Sequence, residues 1–242
     1  MGDRGPSNTF AAYADGEDAR FTDWLRARAE PDWTAAVDHR FARELGAGDL
    51  DDEVFRRYLL QDYAFVETLV GAFGHAVGEA PTMAAKSRLV EFLGTVTGEE
   101  NDYFERSFEV LGVADDEYAN PETTPTTRAF CDLLERAARE GDYTETLAVL
   151  VPAEWIYREW ATAVDEPPEP FYLAEWVELH ATDAFVGFVD WLRGELDREG
   201  AAASGQRRAH LDRLFRRTVE LEVAFFEAAY GDPAAGRDGS EC

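Results

Sequence analysis

The stretch LAVLVPAEWIYREW, which runs from Leu147 to Trp160, is almost entirely apolar and aromatic, yet it contains the carboxylate of Glu154. Residues three and four positions apart share one face of an α-helix, so Leu150, Glu154, Tyr157 and Ala161 fall on a common face. A charge on an apolar face is costly unless it finds a partner. The stretch therefore predicts an interior helix that turns one carboxylate toward something polar.

The same helical spacing of apolar residues extends along the chain on both sides of this stretch. One helix is predicted to have Pro31 at an early position and to stop near Gly46 to Gly48, and a second to run from an N-cap at Asp51 to about Gly78. A long helix is predicted from Pro81 to Gly112, followed by four more. No segment shows the alternation typical of strands. We expect an all-α fold, a bundle of about seven helices.

The 242 residues suit one large domain, and 16 Phe, 9 Tyr and 6 Trp provide material for a substantial core. The sequence has no internal repeat and no convincing linker. We therefore predict a single domain over residues 1–242. Its helical core is expected at about residues 18–231, with flexible ends at 1–17 and 232–242.

The charge balance is strongly acidic, because 50 Asp and Glu residues face 23 Lys and Arg residues and give a net charge of −27. Lys86 is the single lysine. Such a surface is typical of a protein that stays soluble in concentrated salt. We therefore predict that the protein works in the cytoplasm of a halophile. The alternative is an acidic protein of an ordinary mesophile. Nucleic acid and anionic membranes are poor partners for this surface.

Two cysteines, Cys131 and Cys242, form neither a disulfide framework nor a zinc-binding spacing, which fits a reducing compartment. Cys131 lies on a stripe with Leu134 and is expected to pack as a small apolar group. The first residues lack the features of a signal peptide, and no apolar run approaches the ~20 residues of a membrane span. These features predict a soluble protein of the cytoplasm.

Three more polar side chains share a helix face with large apolar residues. Asp62 falls on a stripe with Phe65, Glu222 on a stripe with Phe225, and His180 on a stripe with Trp176. Each residue alone could be a structural group paired with an arginine or a tyrosine. Together with Glu154 and Tyr157, they indicate a pocket for a polar ligand inside the bundle.

Three segments, FRRYLLQDYAFVETL, GDYTETLAVLVPAEWIYREW and RTVELEVAFFEAAY, together resemble the TenA family, also called thiaminase II. The likeness spans roughly residues 18–231 and implies a heme-oxygenase-like helical fold. It also implies hydrolysis of the exocyclic C–N bond of an aminomethyl-pyrimidine, or of its N-formyl derivative, in thiamin salvage. The resemblance requires no metal or other cofactor and suggests a homotetramer.

The resemblance also implies roles for individual residues. Asp62 matches the acid that holds the aminopyrimidine ring, Tyr157 a tyrosine near the reacting centre, and Glu222 the acid/base glutamate. The nucleophilic cysteine of one branch is replaced here by Ala153, whereas a second branch has a glutamate instead. Glu154 is the next residue in the sequence, and on this basis we assign the chain to the glutamate-type branch. Glu154 is expected to assist Glu222.

Three further positions differ from the cysteine branch, which tends to have tyrosines there: Phe65, Phe130 and His180. A phenylalanine preserves ring stacking but loses the hydrogen bond of the hydroxyl. These three side chains are expected to line the substrate pocket, and the difference suggests a different substrate.

Other functions remain open at this point. A heme-oxygenase-like bundle could hold two irons with ligands from Glu67, His75, Glu154, His180, Asp183 and Glu222. Heme binding through His39 is a weaker possibility, because a surface or packing role explains that residue more simply. A pyrimidine-binding member that has lost catalysis with its cysteine is the third alternative.

Overall fold

A computed structural model describes residues 8–14 and 19–231 of the chain. Over these residues the chain forms thirteen α-helices and one π-helical segment and contains no strand, which confirms the all-α prediction. The helices are α1 Phe10–Tyr13, α2 Phe21–Arg28, α3 Asp32–Val37, α4 Arg40–Ala47, α5 Asp52–Glu79, α6 Met83–Thr95, α7 Asn101–Val110, α8 Asp115–Ala119, α9 Pro125–Glu140, α10 Tyr143–Ala161, α11 Phe171–Ala181, α12 Asp183–Ala202 and α13 Gly205–Ala228, with the π-helical segment at Val96–Glu100.

The helices outnumber the seven or so predicted partly because polar caps divide two of the predicted ones. His39 separates α3 from α4, where its Nδ1 accepts a hydrogen bond from the backbone N–H of Phe41 at 3.2 Å. Thr182 separates α11 from α12: its N–H closes α11, and its hydroxyl accepts from the N–H of Phe185 at 3.1 Å. Side-chain caps of this kind compete with helix continuation.

The predicted helix from Pro81 to Gly112 is continuous in path but not uniform. Between α6 and α7 the backbone widens into the π-helical segment Val96–Glu100. The hydroxyl of Thr97 donates to the carbonyl oxygen of Leu93 at 2.7 Å within this stretch. Single π-helical turns inside α-helices occur frequently at functional sites. Here the segment carries Glu100 to the interior cavity described below.

Helix α10 lies at the centre of the bundle, in contact with α3, α5, α9, α11, α12 and α13. Every residue from Thr146 to Tyr157 is buried, and the helix continues through Pro152. The ring of Trp155 lies 4.6 Å from that of Trp33 and 3.6 Å from the guanidinium of Arg193. This packing fixes the rotation of α10 about its axis and hence the direction of Glu154 and Tyr157.

The predicted flexible ends fall largely outside the described residues, namely at 1–7, 15–18 and 232–242, as does Cys242. Within the N-terminal region, Phe10 of α1 packs against Phe21 at 5.3 Å. Cys131 is partly buried against the core, as expected. Among the described helices, none is both long and apolar enough to cross a membrane.

Candidate functional site

Helices α5, α10 and α13 and the π-helical segment each direct one carboxyl group at an interior cavity, called here the inner cavity. The four acids are Asp62, Glu154, Glu222 and Glu100. In the inner cavity, the space between the lining atoms, counted together with solvent at the opening, is about 420 Å³. Its lining consists of Asp62, Phe65, Val66, Leu69, Phe92, Val96, Glu100, Ala153, Glu154, Tyr157, Trp176, His180, Phe185 and Glu222.

The structure brings most of the predicted site residues together. Those that line the inner cavity are Asp62, Phe65, Glu154, Tyr157, His180 and Glu222. Phe130 lies one layer farther out: it is not among the lining residues, and its ring packs 4.5 Å from that of Phe65 and 6.3 Å from that of Phe225. Phe130 therefore supports the wall that Phe65 presents to the cavity.

Two of the carboxyl groups have an oxygen without a partner. Asp62 is 3% exposed and Glu222 is 1% exposed. Their Oδ2 and Oε2 atoms find no hydrogen-bond partner among residues 8–14 and 19–231. Buried polar atoms are paired in the great majority of folded proteins, because an unpaired one costs the desolvation free energy of that group. Two such atoms at one cavity point to a ligand that donates hydrogen bonds.

Burial raises the pKa values of all four acids, and repulsion from neighbouring acids raises those of Asp62, Glu154 and Glu222 further. For Glu222, burial and then the charges of Asp62 and Glu154 raise the pKa well above its usual value. For Asp62, burial and then Glu100 raise the pKa well above its usual value, while a hydrogen bond from Tyr58 acts in the opposite direction. The pKa of Glu154 is likewise raised well above normal by burial, Glu100 and Asp62.

Tyr157 approaches the acids from α10 as a fixed hydroxyl group. Its oxygen lies 2.6 Å from the hydroxyl oxygen of Tyr58, and both side chains are buried. Burial and then the charge of Asp62 raise the pKa of both phenols, so both remain protonated at neutral pH. The pair joins α5 to α10 next to Asp62.

His180 is a neutral group in this site. Burial lowers the pKa of the imidazole to about 4. Its Nδ1 lies 2.8 Å from the carbonyl oxygen of Trp176, and a carbonyl can only accept, so Nδ1 carries the proton. The Nε2 atom therefore presents a lone pair.

Glu100 is the functional candidate that the sequence interpretation missed. Burial raises its pKa to about 7, and it contributes to the raised pKa values of Asp62 and Glu154. A signal was present, because Val96, Glu100 and Phe104 follow one another at intervals of four residues on a helical stretch. The stripe criterion that identified Asp62 would have identified Glu100 as well.

Of the six residues considered as iron ligands, Glu154, His180 and Glu222 line the inner cavity, and the other three do not. Glu67, His75 and Asp183 are exposed and lie outside the lining of the inner cavity. Across the described ranges, no three His, Cys, Asp or Glu side chains are arranged to hold a metal ion. His39 is also outside this lining: its Nε2 lies 3.4 Å from a carboxylate oxygen of Glu227, and its ring packs beside Phe226.

The inner cavity has a definite chemical preference. Its lining contains four carboxyl groups and neither lysine nor arginine, so it favours a ligand that is positively polarised or rich in N–H donors. The walls include Phe65, Phe92, Tyr157, Trp176 and Phe185, which suit a flat ring. Acids with raised pKa values can donate a proton in one step and accept one in another.

Comparison with known proteins agrees with this geometry. Residues 26–232 match the sequence profile of the TENA/THI-4/PQQC family. An aminopyrimidine aminohydrolase of Halalkalibacterium halodurans is 28% identical over 212 residues, which cover 86% of this chain and 94% of that protein.

Two solved structures share the architecture. A TenA family transcription regulator from Silicibacter sp. TM1040 superposes with a TM-score of 0.80 at 24% identity, over 88% of this chain and 98% of that one. A domain from Shewanella denitrificans with a heme oxygenase-like fold superposes with a TM-score of 0.65 at 11% identity, over 93% of this chain and 98% of that one. These likenesses confirm the heme-oxygenase-like fold expected from the sequence.

Proposed function

The chain belongs to the TENA/THI-4/PQQC family, and we propose that it is a hydrolase that cleaves the exocyclic C–N bond of an aminomethyl-pyrimidine or of its N-formyl derivative. The observation that carries the proposal is the pair of unpartnered buried oxygens, Asp62 Oδ2 and Glu222 Oε2, at one aromatic-walled cavity. An aminopyrimidine supplies the ring and the N–H donors that such a cavity lacks. The name of the Halalkalibacterium relative supports the same reaction class.

In this proposal Asp62 accepts a hydrogen bond from the ring amino group of the substrate, and the stacked aromatic walls hold the ring. Glu222, whose raised pKa favours the protonated form, delivers its proton to the departing nitrogen. Glu154 takes a proton from water, and the water oxygen forms the new C–O bond as the C–N bond breaks. The products are the hydroxymethyl-pyrimidine and the amine, and a proton passed from Glu154 to Glu222 restores the site. Tyr157 positions the reacting groups.

We assign the chain to the glutamate-type branch of the family. Ala153 and Glu154 both line the inner cavity, so the side chain that stands nearest to the missing thiol in sequence also faces the ligand space. A thiol nucleophile is absent there, and Cys131 does not line this cavity. A mechanism in which carboxyl groups activate water fits these positions better than one that forms a covalent thioether.

The cellular setting is part of the same proposal. The net charge of −27 and the single lysine, Lys86, support a salt-rich cytoplasm. The family resemblance supports a homotetramer, which light scattering coupled to size-exclusion chromatography in molar KCl would test. An elution mass of about four chains is expected, and a monomer at micromolar concentration would refute the assembly without affecting the reaction.

The proposal is tested by incubating the purified protein in molar KCl with aminomethyl-pyrimidine, its N-formyl form and thiamin in separate reactions. Chromatography should detect hydroxymethyl-pyrimidine from one or both of the first two and none from thiamin. Release from thiamin alone would contradict the carboxylate mechanism. Saturable binding of aminomethyl-pyrimidine without any product would show a protein that binds the pyrimidine but does not cleave it.

A further inference from the structure

A second cavity, called here the outer cavity, adjoins the inner one, and the space between its lining atoms, counted together with solvent at its opening, is about 1050 Å³. The two cavities share four lining residues: Phe92, Glu100, His180 and Phe185. The remaining lining of the outer cavity comes from α6, the π-helical segment, α11, α12 and the residue that joins the last two helices. A ligand could therefore occupy the inner cavity and extend past the shared residues into the outer one.

Two of the shared residues present hydrogen-bond acceptors at this junction. His180 is 8% exposed, and its one hydrogen bond among the described residues is the one from Nδ1 to the Trp176 carbonyl oxygen. Its Nε2 atom can therefore accept a hydrogen bond from a ligand. The carboxyl group of Glu100, the last residue of the π-helical segment, lines the same junction. A protonated secondary amine at this junction carries two N–H groups and would satisfy both acceptors.

The outer cavity combines an apolar wall with negative charge. The rings of Phe92 and Phe188 stack at 3.9 Å on one side. Glu91, Glu99 and Glu100 contribute carboxyl groups, whereas the guanidinium of Arg88 is already held by the carbonyl oxygen of Gly187 at 2.7 Å. This lining suits an apolar group or an apolar group that ends in a cation.

We propose that the outer cavity binds a substituent on the departing nitrogen, so that the enzyme hydrolyses N-substituted aminomethyl-pyrimidines whose protonated nitrogen donates one N–H to His180 and the other to Glu100. This inference rests on the proposed function. Water adds its oxygen to the methylene carbon, the C–N bond breaks, and the nitrogen leaves with its substituent as a primary amine after gaining one proton. A quaternary nitrogen, such as that of the thiazolium in thiamin, offers no N–H at the junction and is disfavoured.

The test compares aminomethyl-pyrimidine with its N-benzyl and N-(2-aminoethyl) derivatives, using the wild type and two tryptophan variants. Ala184→Trp fills part of the outer cavity, whereas Ala201→Trp places the same side chain elsewhere on α12. The wild type is expected to process the N-benzyl derivative with a kcat/KM within 10-fold of that for the unsubstituted amine. Ala184→Trp should lower the ratio of kcat/KM for the N-benzyl derivative to kcat/KM for the unsubstituted amine at least 10-fold. Ala201→Trp should leave that ratio unchanged.

The charge of the outer cavity is tested separately. Replacement of both Glu91 and Glu99 by Gln should lower kcat/KM for the N-(2-aminoethyl) derivative about 10-fold relative to the N-benzyl derivative. Turnover of the unsubstituted amine without turnover of either derivative would overturn the subsite while leaving the proposed function intact. An equal loss for all three substrates in Ala184→Trp would also overturn it.

A failure of the proposed function is distinguishable from a failure of the subsite. If no substrate is hydrolysed, quenching of tryptophan fluorescence by the N-benzyl derivative decides the matter. Binding that Ala184→Trp weakens at least 10-fold relative to Ala201→Trp supports the subsite without the reaction. Binding that is equal in the two variants, or absent from the wild type, refutes the subsite.

Discussion

The hydroxyl oxygens of Tyr58 and Tyr157 lie 2.6 Å apart, and this contact links α5 to α10 beside the acids of the inner cavity. Asp62 also receives a hydrogen bond from Tyr58. A carboxylate can only accept, so when Asp62 is ionised the Tyr58 hydroxyl donates to it and the Tyr157 hydroxyl donates to Tyr58. The three side chains then form a directed chain that responds to the charge of Asp62.

Tyr157→Phe should lose catalytic efficiency and stability together. The buried Tyr58 hydroxyl would lose its contact with Tyr157 and keep only that with Asp62, and one net hydrogen bond contributes about 0.5–1.5 kcal/mol to stability. Urea unfolding and kcat/KM are the measurements. Because the two hydroxyls form one unit, Tyr58→Phe combined with Tyr157→Phe should cost less than the sum of the single variants. Additive losses would show that the two hydroxyls do not interact.

Glu222→Gln should reduce kcat about 10²- to 10⁴-fold, the usual contribution of a general acid or base. The amide keeps the shape of the side chain but cannot deliver a proton to the departing nitrogen. Aminomethyl-pyrimidine binding should survive, so a steady-state assay is paired with a binding titration. Asp212→Asn is a suitable control, since Asp212 is a buried acid of the same helix α13 that pairs with Arg28 instead. Retained turnover in Glu222→Gln would exclude the assigned role.

The same variant should be more stable than the wild type as the pH rises. The pKa of Glu222 is raised well above its unfolded value of 4.5, so the folded state binds the proton more tightly than the unfolded state does. Its contribution to stability therefore declines as the pH increases from about 4.5 toward the folded pKa. Thermal melts at pH 5 and pH 8 should show a Tm advantage of Glu222→Gln that grows with pH.

For a chain of this length, about 1 kcal/mol corresponds to a Tm shift of about 2–4 °C, so the effect is measurable. Asp62 and Glu154 titrate in the same cavity, and His180 acts in the opposite sense between pH 4 and 6.5, since its folded pKa is lowered to about 4. The comparison is therefore made between variant and wild type at each pH. A Tm difference that shrinks as the pH rises would contradict the assigned direction of the pKa shift.

Ala153→Cys should create a thiol that reports ligand binding. Ala153 is buried and lines the inner cavity. Slow alkylation by iodoacetamide is expected to add one label beyond the wild type, and saturating aminomethyl-pyrimidine should slow that reaction at least 10-fold. Burial raises the pKa of the Cys131 thiol, which keeps its background reactivity low. Mass spectrometry locates the label, and protection absent at residue 153 would place the ligand elsewhere.

Stability should increase with salt. With a net charge of −27, the folded chain repels itself, and this repulsion is screened as the Debye length falls from about 10 Å at 0.1 M to about 3 Å at 1 M. The Tm in 2 M KCl is expected to exceed that in 0.1 M KCl. Choline chloride at the same ionic strength tests whether screening alone is responsible. A Tm that is constant or falls with KCl would contradict the proposed adaptation.

The sequence predicted the helical class and six of the residues that line the inner cavity, largely because both follow from periodicity. Asp62, Glu154 and Glu222 stand on apolar stripes, and a stripe must face the interior of a bundle. The separation of α3 from α4 at His39 was not predictable from periodicity. It depends on a hydrogen bond that the His39 side chain accepts from the backbone N–H of Phe41, and this bond forms only once the turn exists. The position of Phe130 behind Phe65 was also hidden, because a helical face indicates burial but not the order of layers. The outer cavity forms where α6, the π-helical segment, α11 and α12 meet, and a local sequence pattern does not predict contacts between separate segments.

The enclosure of α10 has a consequence for the proton balance of the whole molecule. Glu154 belongs to a helix that is buried from Thr146 to Tyr157, so its carboxyl group faces the inner cavity rather than the surrounding solvent. A cationic ligand that enters the cavity stabilises the ionised forms of Glu154, Asp62 and Glu222 and thereby drives protons out to the solvent. Their departure is reversed when the ligand leaves. Ligand uptake is thus itself an acid–base event, and its apparent enthalpy depends on the buffer that receives the protons.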